Sequence, residues 1–443
     1  MRTRICTLGA ARGISRRVRV RLLWTSEHGV ANIGTLQDSE GGKAMGYDAI
    51  VVGGGLAGSA LADQLARGGR KVLVLERETR FSDRVRGENM LSWGVAAARR
   101  LGIHDDLLAA GAHPAPHFAT YLMGMPAPAR DMRVTTPGGD AMTNMFHPDV
   151  PETLLKRALA SGADAMRGAT VLLVEAGEGR LPSVTYEHGG KTYTLSAPMV
   201  VGADGRSSRL REWGGFELQR SPDLLTIAGT LLDNTGIPEG AAHLLMGPGC
   251  ASFMVPLGGG RARTYFIYPG VAGRRGLSGK GKVPAFLRAV QSAGVPEPWL
   301  DGAEAIGPLA EFNCADRWVE SPVRHGVVLV GDAAASSDPS WGSGLSLSLL
   351  DVEHLANAVR DSDDLDIALA RYAKEHDEYF GALHRSLAWM TELVWTPGPA
   401  ADERRARVLP RMSSGEPGFP DPAGLGPFGP SDERARRLTL GLD

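Results

Sequence analysis

The sequence has few cysteines, no long apolar run and no excess of positive charge. Its 443 residues contain three distant cysteines, Cys6, Cys250 and Cys314, which indicate neither a disulfide framework nor a metal site. They fit buried thiols in a reducing cytoplasm, so we expect a cytoplasmic protein. Without an apolar run of membrane-spanning length we expect no membrane span. The net charge of −2 argues against a nucleic-acid partner, because nucleic-acid-binding surfaces are usually basic.

The first 44 residues differ from the rest of the chain. They are rich in arginine and lack the apolar central region of a signal peptide. A transit peptide fits this composition, but the sequence MGYD at 45–48 leads directly into the first strand, which favours Met45 as the natural start. We therefore expect residues 1–44 to be a disordered extension that folding does not require.

A β-α-β pattern begins at Tyr47. The apolar run Asp48–Val52 predicts a buried parallel strand, Leu56–Arg67 has helical spacing, and Lys71–Glu76 predicts the next strand. Further along the chain, Arg130–Thr136 has the pattern of a strand.

A glycine-rich loop joins the first strand to the first helix. Its sequence, GGGLAG at 53–58, is a G-x-G-x-x-G motif in the strand-to-helix context that indicates dinucleotide binding. The first glycine allows the tight turn, the second lets the backbone approach a pyrophosphate, and the third allows close packing of helix and strand. The helix N-terminus adds free N–H groups and positive potential. We predict dinucleotide contacts from Gly53, Gly55, Leu56, Ala57 and Gly58.

An acidic residue ends the second strand. Glu76 lies at about the 20-residue spacing at which a carboxylate accepts hydrogen bonds from the adenosine ribose. A carboxylate there would repel a 2′-phosphate, so the pattern favours FAD or NAD over NADP as the dinucleotide of this site. We include the adjacent Arg77 in the predicted site.

Two further glycine-containing segments follow predicted strands. The sequence GADGRSSR at 202–209 follows the strand Met199–Gly202, and GDAA at 331–334 follows Val327–Val330. The second segment leads into a helix predicted at Gly344–Arg360. A strand that delivers an aspartate and then a glycine-rich helix N-terminus forms a second cradle that is compatible with phosphate.

The three segments, in this order and at these intervals, resemble the single-component FAD-dependent aromatic hydroxylases, the p-hydroxybenzoate hydroxylase-like monooxygenases. The resemblance covers roughly residues 47–360. It implies an α/β fold in which a Rossmann-like FAD-binding domain is interleaved with an antiparallel-sheet substrate domain of α+β type. We expect the first part of the FAD-binding domain at 45–220, the substrate domain at 221–325, the second part with the C-terminal helices at 326–396, and a Pro/Gly-rich tail or lid at 397–443. Within the tail we expect residues 397–432 to be irregular, because they are rich in proline and glycine.

The resemblance also implies residues that contact the phosphates of FAD. The family's arginine near the flavin ribityl and phosphate region corresponds to Arg86, with Arg84 as the second choice. The family's D-G pair, beside the pyrophosphate and implicated in NAD(P)H binding, corresponds to Asp204 and Gly205. Arg206 is a further possible phosphate contact.

At the flavin itself, the resemblance implies four contacts and leaves one open. Asp332 corresponds to the aspartate that accepts a hydrogen bond from the ribityl hydroxyls, and Pro339 to the proline beside the isoalloxazine. The N–H groups of Gly344 and Leu345 correspond to those facing the flavin N1–C2=O edge, where a helix N-terminus stabilises the negative charge of reduced flavin. His147 lies near a family position that reaches the flavin, and a local role in its loop fits equally well.

The strand-rich region 224–270 is the expected wall of the substrate pocket, because the family places substrate between this sheet and the flavin. Aromatic residues in strands are more often part of the core. Trp341, between Pro339 and Gly344, could stack on a planar substrate. The sequence identifies no catalytic side chain, and Pro339 and Trp341 of the flavin-facing loop are the candidates. The candidate lining residues are Tyr121, Phe253, Tyr265, Tyr268 and Trp341.

The resemblance implies a monooxygenase that holds FAD non-covalently. NAD(P)H would reduce the flavin, O₂ would form a C4a-hydroperoxide, and a small organic substrate, aromatic or a natural product, would be hydroxylated or epoxidised. The sequence shows no separate nucleotide-binding fold for NAD(P)H, which fits both a surface groove and reduction by a partner protein. Monomer and homodimer both remain open.

Three alternatives share the fold or its ligand. A reductase or dehydrogenase, for instance one that saturates a polyprenyl chain, is the first. A flavin-dependent halogenase is disfavoured, because the sequence has no W-x-W-x-x-I motif and no lysine inside the segment 77–155. A non-catalytic module that binds flavin or a partner is the third, and the presence of all three glycine-containing segments argues against it.

Overall fold

The N-terminal segment and the rest of the chain form two separate units. The computed structural model describes residues 46–85, 87–270 and 276–443, together with the backbone of two short strands near the N-terminus. Those strands, Leu23–Ser26 and Gly29–Asn32, pair with each other in antiparallel orientation. The other residues of the segment 1–44 lie outside the described part, so a disordered, dispensable extension stays a prediction.

A six-stranded sheet forms the centre of the second unit. Five neighbouring strands are parallel, and they follow the sequence order 3-2-1-4-5 across the sheet, which is the order of a doubly wound dinucleotide-binding fold. Most of these strand residues are buried, which explains their continuous apolar runs. In sheet order the strands are Asp164–Arg167, Val72–Glu76, Ala49–Val52, Met199–Gly202, Val327–Leu329 and the antiparallel Val323–Arg324.

Helices pack against one another around the first helix of this unit. Leu56–Arg67 contacts both Asp149–Ala160 and Gly344–Asp361, and Gly344–Asp361 also contacts the long helix Leu365–Trp395. The first helix buries nine of its residues, because alanines and a glycine let its backbone approach its neighbours closely. The other α-helices are Ser92–Arg100, His104–Ala109, Met132–Thr135, Leu210–Trp213, Val283–Ser292, Glu297–Leu300, Pro399–Ser413 and Glu433–Thr439.

A nine-stranded sheet takes six of its strands from the region predicted as the substrate domain, 221–325, and the other three from residues 117–131. Its neighbours are antiparallel, except that His117–Leu122 runs parallel to Ala241–Gly247. The helix Val283–Ser292 packs on this sheet, where Phe286 and Val290 are fully buried. The remaining strands are Leu225–Asp233, Cys250–Pro256, Ala262–Pro269, Glu304–Ala305, Ala310–Asn313, Met125–Pro126 and Arg130–Asp131. This mixture of a parallel and a mainly antiparallel sheet confirms the predicted fold class.

Three small sheets complete the described strands, each with three members. One is a meander that follows the strand Asp164–Arg167, and the other two join distant parts of the chain. In sheet order they are Thr170–Gly177, Arg180–His188 and Lys191–Ser196; Asn89–Met90, Met142–Asn144 and His113–Ala115; and Leu218–Arg220, Arg317–Val319 and Ala335–Ser336.

Two expectations about local structure are wrong. The predicted strand Arg130–Thr136 is a strand only at Arg130–Asp131, because the Asp131 carboxylate accepts a hydrogen bond from the Arg133 N–H at 2.9 Å and so caps the helix Met132–Thr135. The segment 397–432 is not irregular throughout, since it contains the helix Pro399–Ser413. Proline suits the first position of a helix because its missing N–H would have had no partner there.

None of the helices in the described ranges is long and apolar enough to cross a membrane.

Candidate functional site

A cavity of about 270 Å³ lies where the carboxyl ends of the parallel strands meet the nine-stranded sheet. The turns after the strands Ala49–Val52, Met199–Gly202 and Val327–Leu329 line one side, and Ile227, Phe253 and other residues of the nine-stranded sheet line the other. Ligands of doubly wound folds bind at this edge of the sheet, because the strand ends leave a crevice there. The cavity is therefore the candidate functional site.

The glycine loop packs as its sequence predicts. Gly53 has φ +104°, and a Cβ atom on it would lie 2.4 Å from the Ala203 carbonyl oxygen. A Cβ on Gly58 would lie 1.9 Å from the Gly53 carbonyl oxygen. Gly55 has open space at the Cβ position and lines the cavity. Thus Gly53 and Gly58 are needed for the close approach of turn, strand and helix, whereas Gly55 leaves room for a ligand.

Two helix N-termini meet at the cavity. Gly55, Leu56 and Ala57 line it at the start of the first helix, and Gly344 and Leu345 line it at the start of another. The residue before each helix makes no side-chain capping bond, so the first N–H groups are not occupied by a capping side chain. Both helices also direct the positive end of their dipoles to the same space, and the cavity is therefore suited to an anionic or electron-rich ligand.

Glu76 lies behind the glycine loop and holds it in place. Its side chain is buried. One carboxylate oxygen accepts a hydrogen bond from the Gly54 N–H at 2.6 Å, and the other accepts one from the Glu78 N–H at 2.6 Å. The predicted acid is thus next to the loop, and each oxygen retains capacity for another donor.

Asp332 lines the cavity at the end of another parallel strand. The turn that carries it is fixed by two residues that the sequence did not suggest. The Asp351 carboxylate accepts a hydrogen bond from the Gly331 N–H at 2.6 Å and also contacts the buried His376. The Arg211 guanidinium donates to the carbonyl oxygens of Asp332 and Ala333 at 3.3 Å.

The other predicted cofactor contacts divide into two groups. Gly205, Arg206 and Pro339 line the cavity. Asp204 does not line it, because its carboxylate accepts hydrogen bonds from the N–H groups at 209 and 210 and so caps the helix that follows. Arg77 has a side chain that is 66% exposed and does not line the cavity either.

Arg86 and Arg84 are the first and second choices for the arginine near the ribityl and phosphate region. Arg86 lies outside the described residues, so its predicted contact stays a prediction. Arg84 forms an ion pair with Glu78 on the protein surface.

Trp341 does not line the cavity. Its indole N–H donates to Thr391 Oγ1 at 2.9 Å, and its ring packs against the apolar core around the long helix Leu365–Trp395. Its neighbours Pro339, Ser340 and Gly342 do line the cavity. The structure therefore favours a role for Trp341 in holding this loop over a role in stacking on substrate.

The nine-stranded sheet gives the cavity an apolar wall. Of the aromatic residues predicted to line a pocket, Phe253 and Tyr265 do so. Tyr121 instead packs edge-on against Trp299, and the Tyr268 hydroxyl donates to Glu311 at 2.5 Å. The other apolar residues of the wall are Ile227, Val255, Ile267 and Phe312.

A buried charged cluster stands at the edge of this wall, and sequence reasoning missed it. Glu88 lines the cavity and is 1% exposed. The fully buried Arg263 donates from Nε to Glu88 Oε1 at 2.9 Å and from Nη2 to Asp83 Oδ1 at 2.6 Å. The Tyr265 hydroxyl donates to Glu88 Oε2. Burial raises the pKa of Glu88 to about 7, against the opposing effect of Arg263.

His147 also lines the cavity, with Nδ1 3.4 Å from the Gly87 carbonyl oxygen. No group of three or more His, Cys, Asp or Glu side chains within the described ranges is arranged to hold a metal ion.

These features fit FAD. The open position at Gly55 leaves space for a pyrophosphate beside a helix N-terminus, and buried Glu76 retains acceptor capacity for a ribose. Asp332 lines the cavity at a position that suits the ribityl chain, and the second helix N-terminus suits the N1–C2=O edge of the flavin. A dinucleotide with an aromatic ring system also matches a cavity with one polar and one apolar side.

Comparison with known proteins agrees with this assignment. The family model described as an FAD binding domain matches residues 46–361, most of the chain. Digeranylgeranylglycerophospholipid reductase 1 of Methanococcoides burtonii is 29% identical over 359 residues, which cover 76% of this chain and 80% of that protein. Squalene epoxidase 4 of Arabidopsis thaliana is 27% identical over 335 residues, which cover 72% of this chain and 63% of that protein.

Solved structures share the fold. The p-nitrophenol 4-monooxygenase of Pseudomonas putida DLL-E4 has a TM-score of 0.72 and 22% identity, with coverage of 90% of this chain and 97% of that one. The flavin-dependent brominase Bmp2 has a TM-score of 0.70 and 17% identity, with coverage of 90% and 98%. The resemblance to the aromatic hydroxylase-like FAD proteins is confirmed at the level of the fold.

Proposed function

We propose that this chain is a monooxygenase that uses NAD(P)H and O₂ to hydroxylate or epoxidise a small organic substrate. The chain belongs to the FAD binding domain family and is an FAD-dependent oxidoreductase. The observation that carries the proposal is the two-sided cavity. Two helix N-termini and Asp332 form the polar side, and strand residues such as Ile227 and Phe253 form the apolar side. This arrangement suits a flavin that faces an apolar substrate.

Bound FAD would supply the electron transfer and the activation of O₂, so that no nucleophilic side chain is required. The chain would supply position and shelter. Glu76 and the glycine loop would hold the adenosine and pyrophosphate, Asp332 would hold the ribityl chain, and the N–H groups at Gly344 and Leu345 would stabilise negative charge on the flavin. The apolar wall would keep water away from the reacting atoms.

The charges around the cavity favour a neutral substrate. Arg263 is fully buried and already paired with Asp83 and Glu88, and Arg206, which lines the cavity, already donates to the carbonyl oxygens of Asn313 and Ala315. A substrate carboxylate placed against the apolar side chains of the wall would be desolvated, which is costly. We therefore expect an uncharged phenol, polyene or related natural product.

A reductase on the same fold is the second candidate. The match to the relative from Methanococcoides burtonii, which is named a reductase, covers 80% of that protein, whereas the match to squalene epoxidase 4 covers 63% of that protein. The pair Glu88–Tyr265 at the apolar wall also offers a proton that reduction of a carbon–carbon double bond needs.

Product mass distinguishes the candidates. We expect the purified protein to be yellow, to release FAD on heating, and to oxidise NADH or NADPH faster when a suitable phenol or polyene is added. With ¹⁸O₂, a monooxygenase incorporates one labelled oxygen atom into the product, whereas a reductase adds two hydrogens and no label. Release of FMN, or no flavin after reconstitution, would contradict the whole assignment.

A further inference from the structure

We propose that Glu88 and Tyr265 form a proton-exchange pair that gives a proton to, or takes one from, the substrate bound in the cavity. The inference rests on the proposed function in that the cavity's occupant beside the flavin is taken to be the substrate. It does not depend on whether that substrate is oxygenated or reduced.

The Glu88–Tyr265 pair lies in the wall of the cavity. Glu88 and Tyr265 both line the cavity, Glu88 from the loop before the strand Asn89–Met90 and Tyr265 from the strand Ala262–Pro269. Gly87, next to Glu88, packs against Leu345 at the start of the helix that faces the cavity. The pair therefore stands at the boundary between the proposed flavin side and the apolar wall, where a substrate would meet both.

The hydrogen bonds of the pair allow two protonation states. When Glu88 is ionised, the Tyr265 hydroxyl donates to Oε2, while Arg263 donates to Oε1 at 2.9 Å. When Glu88 is protonated on Oε2, it donates to the Tyr265 oxygen, and the phenol hydrogen is released to donate to an acceptor in the cavity. A proton can thus pass between substrate and Glu88 by way of Tyr265, while Arg263 keeps the carboxyl in place.

The charge of the cluster makes both states accessible near neutral pH. One buried cation, Arg263, faces two carboxyls, Asp83 and Glu88. If both carboxyls are ionised the cluster carries an excess negative charge in a largely buried site, and if Glu88 is protonated the cluster is neutral. Burial raises the pKa of Glu88 and Arg263 lowers it, and the result is about 7. Groups that exchange protons efficiently have pKa values near the working pH.

The arrangement differs from a structural ion pair. Asp83 alone neutralises Arg263, since its Oδ1 lies 2.6 Å from Nη2. A second carboxyl adds a desolvation cost and no further charge balance, and a buried group of this kind at a cavity wall is a candidate functional site.

Other titratable groups also face this space. Arg263 contacts Glu88 directly and Asp83 contacts Arg263, His147 lies beside Gly87, and Arg206 and Asp332 line the same cavity. Histidine side chains in general titrate close to neutral pH. A pH effect can therefore be assigned to Glu88 only with a His147 variant as a control.

Infrared spectroscopy of the FAD-loaded protein tests the pair without substrate. We expect a carboxyl C=O band that shifts in D₂O and disappears as the pH rises through about 7, as the raised pKa predicts. This band should be absent from Glu88→Gln and present in His147→Gln. Asp338, whose buried carboxyl also has a pKa raised to about 7, would give a second band that Asp338→Asn removes. If the spectrum of Glu88→Gln keeps every carboxyl band of the wild-type spectrum, the proposal is overturned.

The pH profile of turnover tests the exchange itself. We expect Glu88→Gln and Tyr265→Phe each to lower kcat by about 100-fold, the usual contribution of general acid–base catalysis, and to abolish the pH dependence near 7 that His147→Gln retains. FAD dissociation constants near that of the wild type would show that the cofactor site is intact. If Glu88→Gln does not fold, Tyr265→Phe and Glu88→Asp replace it. Unchanged kcat and an unchanged profile in Tyr265→Phe overturn the proposal.

The two proposals can fail separately. If the product gains two hydrogens and no oxygen, the proposed monooxygenation is wrong, while loss of the infrared band in Glu88→Gln still supports the pair. If labelled oxygen enters the product and the variants retain the wild-type profile, the pair is wrong and the proposed function stands.

Discussion

The carbonyl oxygen of Gly53 lies so close to Gly58 that a Cβ atom at residue 58 would stand 1.9 Å from it. No real Cβ makes such a contact, so the turn and the first helix can pack only when residue 58 has no side chain. The contact is entirely between backbone atoms and the missing Cβ, and a rotamer change cannot relieve it. This relationship fixes the start of the helix whose N-terminus faces the cavity.

We therefore expect Gly58→Ala to destabilise the protein by about 1–3 kcal/mol, the usual cost of overpacking, and to lose most of its FAD. Gly55→Ala is the matched control, because its new methyl group enters open space and its φ of −67° suits alanine. This control should unfold at nearly the wild-type temperature but bind FAD more weakly, since Gly55 lines the cavity. Thermal unfolding and FAD content measure both effects, and wild-type values for Gly58→Ala would contradict the argument.

Glu76→Ala should weaken FAD binding by about 1.5–3 kcal/mol, the range for hydrogen bonds to a charged group. The variant removes a ribose acceptor and also leaves the Gly54 N–H without its partner. Glu76→Gln keeps one oxygen acceptor without the charge, and we expect it to fall between the alanine variant and the wild type. Fluorescence titration of the apoprotein with FAD gives the dissociation constants. An unchanged value for Glu76→Ala would show that this acid is not the ribose ligand.

The parts of the fold that follow from local sequence were predictable. The helix Leu56–Arg67 has the predicted bounds, because a glycine turn starts it, helical spacing continues through it and glycines end it. The apolar runs at 48–52 and 71–76 predicted parallel strands, and the structure has strands there. The helix Pro399–Ser413 was missed although its proline at the first turn and its helix-favouring residues were visible, because the surrounding glycines and prolines outweighed them.

The parts of the site that depend on distant residues were not predictable. Glu88 and Arg263 are separated by 175 positions, and neither carries a motif. Arg263 lies between Ala262 and Thr264 in a strand, so its sequence context does not reveal that it is fully buried. Trp341 is similar, because its partner Thr391 lies in a helix 50 positions away. Only the packing of the strands and helices brings these groups together.

Trp341→Ala should lose FAD, because the indole N–H bond to Thr391 and the packing of the ring hold the loop that places Pro339 at the cavity. Thr391→Val removes the acceptor but leaves the ring, and we expect a smaller loss. Phe253→Ala is the contrasting variant, since Phe253 lines the apolar wall. It should keep FAD and lose the coupling of NAD(P)H oxidation to product formation. FAD retained in Trp341→Ala together with a large loss of coupling would instead place the indole against substrate.

The pH dependence of stability should reveal the two buried carboxyls. The pKa values of Glu88 and Asp338 are both raised to about 7, chiefly by burial, whereas in an unfolded chain both groups titrate near 4. Between these values the folded state binds more protons than the unfolded state. The stability that each group contributes is therefore complete below about pH 4 and is lost as the pH rises through 7.

The expected slope is at most about 1.4 kcal/mol per pH unit for each group. We expect the free energy of unfolding of Glu88→Gln, measured with urea at constant FAD concentration, to fall less steeply between about pH 5 and 7 than that of the wild type. Asp338→Asn should show the same change, and a variant with both substitutions should be flatter still, because the two carboxyls belong to different clusters and their effects should add. Parallel wild-type and Glu88→Gln curves would mean that Glu88 stays ionised in the folded protein. The carboxyl could then still anchor Arg263, but it could not hold a proton for the substrate at neutral pH.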